Sequence, residues 1–182
     1  MATYYLLAGL IGLAVVLVVL GRAFVRTYLT YQGDRVVECP ENRQPAGVRV
    51  DAAHALFTAF GGNPDLRLDT CSRWPEKRNC GQECLRQIEA SPEECLVRNI
   101  LTKWYAGKNC ALCGKPIGEI QWADHKPALL NAEHRTVQWP DVPPDTLPRV
   151  LATHQPVCWN CHVVTRMVNE HPELVLNRAR HA

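Results

Sequence analysis

Two cysteine pairs of one spacing, Cys110-Ala111-Leu112-Cys113 and Cys158-Trp159-Asn160-Cys161, carry the most specific chemistry in this chain. Thiolates separated by two residues can face one ion. Four of them at about 2.3 Å complete the closed tetrahedral shell of a structural zinc site. The second pair runs directly into His162. Cys-x-x-Cys-His is also the attachment sequence of c-type haem, with Cys158 and Cys161 as thioether sites and His162 as the proximal iron ligand. The compartment separates the two chemistries, because haem attachment takes place on the outer side of a membrane.

Five further cysteines precede these pairs: Cys39, Cys71, Cys80, Cys84 and Cys95. The first four are a candidate second metal site, for zinc or an iron-sulfur cluster. Cys80-x3-Cys84 spans one helical turn, so both sulfurs can point the same way, and Cys39 stands in turn material of the kind that presents a ligand. In a reducing compartment such thiols stay free or bind metal, whereas outside they pair as disulfides. Nine cysteines is an odd number, so full pairing leaves one over. Cys95 reads as buried apolar filler.

Positioning begins with an N-terminal apolar run. No charged side chain precedes Arg22, and the stretch from Ala2 to Gly21 is apolar over most of its length. At 1.5 Å per residue it matches a hydrocarbon core of roughly 30 Å, which predicts a single membrane-spanning helix. Met1-Ala2-Thr3 supplies no basic segment, and Gly21-Arg22-Ala23-Phe24 supplies no small-x-small cleavage site, so the segment reads as a retained anchor. Arg22, Arg26 and Arg35 follow the run and no Lys or Arg precedes it, which places the bulk of the chain in the cytoplasm. Tyr4, Tyr5, Tyr28 and Tyr31 suit the two membrane interfaces.

About 150 residues follow the anchor, enough for one ordinary domain or two small metal-stapled ones. The net charge is +2, with basic residues interrupted by acidic ones, so nucleic acid is not an expected partner. Arg35 to Val50 has the pattern of a β-hairpin turning at Cys39-Pro40-Glu41-Asn42. Asp51 caps a helix from Ala52 to Phe60 that ends at Gly61-Gly62; His54 within it reads as an ordinary helix residue. Gly81 to Ala90 predicts a short helix. Ser91-Pro92-Glu93-Glu94 predicts the start of another that runs to Gly107. Strands are expected at Ile120 to Trp122 and Arg135 to Trp139, followed by an extended proline-rich connection through Pro148. A final helix covers Val163 to Glu170, with Cys161 and His162 in its first turn. Arg73 to Arg78 reads as a solvated basic loop. The expected organisation is an anchor over 1–31, a cysteine-containing hairpin and helical region over 32–106, and a metal-stapled region over 107–182, in an α+β fold.

Knuckle, hairpin and helix carrying the second pair follow the order of a treble-clef zinc module. Over the last third of the chain, Cys110-x2-Cys113-Gly114, Asp124-His125 and Cys158-x2-Cys161-His162 together resemble the zinc-bearing HNH nuclease family. That resemblance implies a water-activating role for His125 and a catalytic metal ligand in His162. Pro127 falls one residue earlier than the family's proline, and Leu151-Ala152-Thr153-His154 lacks its asparagine. No phosphate loop, nucleophile motif or paired carboxylates occur elsewhere. The expectation is therefore a membrane-anchored zinc-binding interaction or assembly module. Its partners would be the membrane and other membrane or cytoplasmic proteins. The alternatives are a haem or iron-sulfur electron carrier and an HNH-like hydrolase.

Overall fold

A computed structural model describes residues 2–59, 62–77 and 79–173. The first element, α1 (Ala2–Tyr31), is a single helix. Within it Gly9–Tyr31 is long and apolar enough to cross a membrane, and none of its most apolar window is buried by the rest of the chain. The helix ends against a guanidinium. Arg35 is fully buried and donates from Nη1 to the carbonyls of Tyr31 (2.7 Å) and Gly33 (3.1 Å), and from Nη2 to that of Thr30. A cation is well placed there, since the last carbonyls of a helix have no partner within it and carry partial negative charge. Its charge is therefore committed to the helix terminus, while Arg22 and Arg26 stay exposed.

Next comes a three-stranded antiparallel sheet in the order β1-β2-β3, with β1 at Asp34–Glu38, β2 at Pro45–Val50 and β3 at Leu68–Cys71. The hairpin forms where the turn residues place it, pairing Asp34 with Arg49 and Glu38 with Pro45. Alternation turns Val37, Ala46, Val48 and Val50 inward, against Ala55 of α2 (Ala52–Thr58) and Ile88 of α3 (Leu85–Ala90). Asp51 caps α2 by accepting the His54 N–H at 2.9 Å. Phe60, Gly61 and Arg78, named for the helix end and the basic loop, lie outside the described residues.

The fourth helix, α4 (Val97–Tyr105), begins five residues later than its Ser-Pro-Glu-Glu start predicts. Residues 92–95 form turns, and Leu96 then bridges Arg35 while Val36 donates to the Cys95 carbonyl. Pairing to the free edge of β1 holds this segment extended and overrides the local cap signal. Gly107, with φ of 71°, follows the helix. The buried face of α4, Val97, Leu101 and Tyr105, packs against Leu129 and Leu147.

A second antiparallel sheet has the order β5-β4-β6, formed by β4 (Ala128–Leu130), β5 (Thr136–Gln138) and β6 (Gln155–Val157). Ile120–Trp122 is irregular, and the first strand of this sheet lies at Ala128–Leu130 instead. All three of its residues are buried, so it shows no alternation to be read. The proline-rich stretch is likewise not extended. It forms short 3-10 turns at Trp139–Asp141 and Pro144–Thr146, then α5 (Leu147–Thr153), where Pro148 sits in the first turn and needs no N–H partner. The turn at Pro144 lies on β2 at Gly47, where a Cβ would come within 2.9 Å of the Pro144 side chain. The last element, α6 (Trp159–Glu170), starts at the second cysteine pair. The result is a mixed helix and sheet fold with one apolar N-terminal helix.

Candidate metal centre

The knuckle is built by backbone hydrogen bonds. The Cys110 N–H donates to the Lys115 carbonyl at 2.8 Å, and the Gly114 N–H donates back to the Cys110 carbonyl at 2.9 Å. Gly114 closes the turn at φ of 70°, a left-handed conformation available to glycine without a Cβ clash. The Ala111 N–H donates to the Pro156 carbonyl, which fixes the knuckle against β6 and hence against the start of α6. Sequence-distant pairs are thus set side by side by one strand.

All four Sγ atoms of Cys110, Cys113, Cys158 and Cys161 lie within 4.8 Å of one another, and Cys113 and Cys158 are 3.8 Å apart. Four sulfurs at 2.3 Å from one tetrahedral ion stand about 3.8 Å from each other, so these cysteines can hold a single metal ion. Leu130 and Val157 are buried beside Cys110 and keep solvent from its sulfur. The thiols differ in acidity. Burial raises Cys110, but N–H groups of Cys158, Cys113 and Leu112 directed at its sulfur win and bring it down to about 6. Burial and three neighbouring sulfurs push Cys161 far up. Four negative charges at this spacing repel one another unless a cation lies between them.

His162 is buried behind the cluster with both ring nitrogens engaged. Nε2 is 3.0 Å from the Gln138 side-chain amide nitrogen and Nδ1 is 2.9 Å from the Thr136 hydroxyl. An amide N–H donating to Nε2 requires the proton on Nδ1, which then donates to Thr136. Burial, and then Arg166, lowers its pKa and favours the neutral ring. His125 is exposed, at φ of 53°, with its Nδ1 3.1 Å from Asp124. Its ring meets the Trp159 indole edge-to-face at 5.7 Å, and Trp159 lies 5.9 Å from His162. The two histidines singled out by the HNH resemblance therefore flank the same tryptophan.

Cys39, Cys71, Cys80 and Cys84 also come together, around a cavity of about 130 Å³. Burial first, and then the sulfurs of Cys71, Cys80 and Cys39, push the Cys84 thiol up to about 11. Cys95 lies apart, its sulfur 3.9 Å from the Gln87 carbonyl. The clasp of Thr136 and Gln138 on His162 had no readable signal, because two polar residues two apart on an unremarkable strand carry no motif. No known family model matches the chain, and no curated protein or solved structure matches it significantly.

Proposed function

We propose that this chain is a membrane-anchored interaction or assembly module, in which a zinc ion held by Cys110, Cys113, Cys158 and Cys161 stabilises the C-terminal region. The carrying observation is the mutual convergence of the four sulfurs within 4.8 Å. An ion so held has all four positions filled by protein, and such a closed site stabilises a fold and leaves no position for substrate. The haem alternative is disfavoured by the same geometry, since Cys158 and Cys161 face two further thiols and His162 has both nitrogens in hydrogen bonds. The HNH alternative needs His162 as a ligand to a catalytic ion, and that nitrogen accepts from Gln138.

Membrane anchoring rests on the length and apolarity of Gly9–Tyr31, and a cytoplasmic position for the domain rests on exposed Arg22 and Arg26 at its C-terminal side. Protein partners at the membrane are the class of ligand that such a module would assemble. Metal analysis and an absorption spectrum of the detergent-purified chain test the reading. A protein without a haem spectrum that loses one zinc equivalent on Cys113→Ser replacement is expected, and a covalent haem spectrum would overturn it. Membrane-impermeant thiol labelling of intact cells should leave the cysteines unlabelled; labelling from outside would reverse the topology.

A further inference from the structure

The cavity lined by Cys39, Cys71, Cys80 and Cys84 draws its sulfurs from three places: the end of β1, the end of β3, and the chain entering α3. Cys39 and Cys84 are buried, and Cys71 and Cys80 are half-buried. Apolar filling of the core would account for burial alone. It would not account for the polar groups aimed at the sulfurs.

The turn at Cys39 reproduces the knuckle at Cys110 bond for bond. The Cys39 N–H donates to the carbonyl five residues on, Gln44, at 2.9 Å, as Cys110 does to Lys115. Its carbonyl accepts the N–H four residues on, Arg43, at 2.8 Å, as Cys110 does from Gly114. Arg43 has φ of 54° where Gly114 has 70°. Each sulfur accepts the N–H groups two and three residues on, Glu41 and Asn42 in one turn, Leu112 and Cys113 in the other. N–H dipoles directed at a sulfur favour the thiolate, which is the form that binds metal. The difference is that Asn42 stands where Cys113 supplies a second ligand.

Other contacts act in the same direction. Arg73 donates from Nη1 to the Cys39 sulfur at 2.8 Å, and Lys77 and Arg73 both pair with Glu41 at the rim. Cys80 accepts the Gln82 N–H at 3.4 Å from a residue held at φ of 54°. Cys95, packed against the same core, differs: its thiol faces the Gln87 carbonyl at 3.9 Å, an acceptor that favours the protonated form, and burial outweighs the nearby Arg35 charge. Only the downstream set converges within 4.8 Å among the described residues. The upstream sulfurs line one cavity without that convergence, so a single ion would have to draw them together, whereas the bridging sulfides of a cluster hold the thiolates farther apart.

We propose that Cys39, Cys71, Cys80 and Cys84 form a second, four-thiolate centre for a thiophilic metal, as a zinc-class ion or an iron-sulfur cluster, with Arg73 supporting the Cys39 thiolate. Binding an ion exchanges four S–H bonds for four S–metal bonds, releases the protons to solvent and transfers no electrons.

Zinc, iron and acid-labile sulfide are measured per chain on the full-length protein purified under reducing conditions. The centre predicts a second metal equivalent: either a second zinc, or iron with sulfide and visible absorption. Cys39→Ser or Cys80→Ser should remove that equivalent and retain the one lost in Cys113→Ser, while Cys95→Ser should retain both. Because the two sets of variants act on different equivalents, failure of either centre is distinguishable from failure of the other. In case the variants do not fold, alkylation of the wild-type chain gives an independent reading. Protection of all four upstream thiols together, released together by a chelator, supports the centre. A single metal equivalent with those thiols freely alkylated, or two disulfides among them, overturns it.

Discussion

Replacing Cys113 by serine removes one corner of the downstream centre with little other disturbance. Cys113 is the exposed member of the four, so its loss opens no cavity, whereas Cys110 is buried against Leu130 and Val157. Structural zinc binding in small domains amounts to about 10–16 kcal/mol, so one of four comparable thiolates contributes on the order of 3 kcal/mol. That corresponds to a Kd weakened by roughly 100-fold. The assay is competition for zinc against a chromophoric chelator at fixed pH, with Cys95→Ser as the same chemical change outside both cysteine clusters. Amide exchange supplies the structural half. The N–H groups of Gly114 and Ala111, bonded to the carbonyls of Cys110 and Pro156, should lose protection in step with affinity. Unchanged affinity and protection in Cys113→Ser, or an equal loss in Cys95→Ser, would refute the assignment.

Other expected outcomes concern the scaffold around the site. Gly114→Ala should destabilise the metal-bound form by about 1–2 kcal/mol in thermal or denaturant unfolding, because a Cβ there meets open space and only the left-handed backbone resists it. Asp51→Ala should cost about 1 kcal/mol through loss of the α2 cap. The His54 N–H, and then the Arg67 guanidinium, hold the Asp51 carboxyl below its ordinary value. Its contribution is therefore complete above pH about 4 and fades as pH falls through the lower folded value, so the gap between wild type and variant should narrow in acid. Tyr105→Phe should cost about 1 kcal/mol, since the buried hydroxyl donates to the Ala128 carbonyl at 2.8 Å and ties α4 to β4; equal stability of the two proteins would show that this tie is immaterial.

The parts legible in the sequence were those governed by short-range chemistry. Asp51 before an apolar helix, the hairpin around Cys39-Pro40, Gly107 after α4, and Gly114 after Cys113 each act through neighbouring backbone, and each stands where its residue type predicts. Long-range pairing decided the rest. Leu96 is held by Arg35, and this delays α4 past a well-formed cap signal. β4 is buried on both faces and so lacks alternation, while α5 lies within a proline-rich stretch whose Pro148 occupies the one turn where proline suits a helix. Arg35 resembled a flanking membrane charge, and its actual role at the end of α1 depends on its folding back onto three carbonyls. The convergence of Cys110, Cys113, Cys158 and Cys161 was legible from spacing alone. The knuckle at Cys39 was not, because Arg43 takes the left-handed position that a glycine would have advertised.

X-ray absorption at the metal edge of the zinc-loaded, full-length protein tests the central claim most directly, since it reads the atoms bound to the ion. Four sulfur scatterers at about 2.3 Å with no nitrogen or oxygen in the first shell is the predicted result. A histidine nitrogen at about 2.0–2.1 Å, with correspondingly fewer sulfurs, would contradict it, for then His162 would have left Gln138 to join the ion and the four-thiolate centre would not exist.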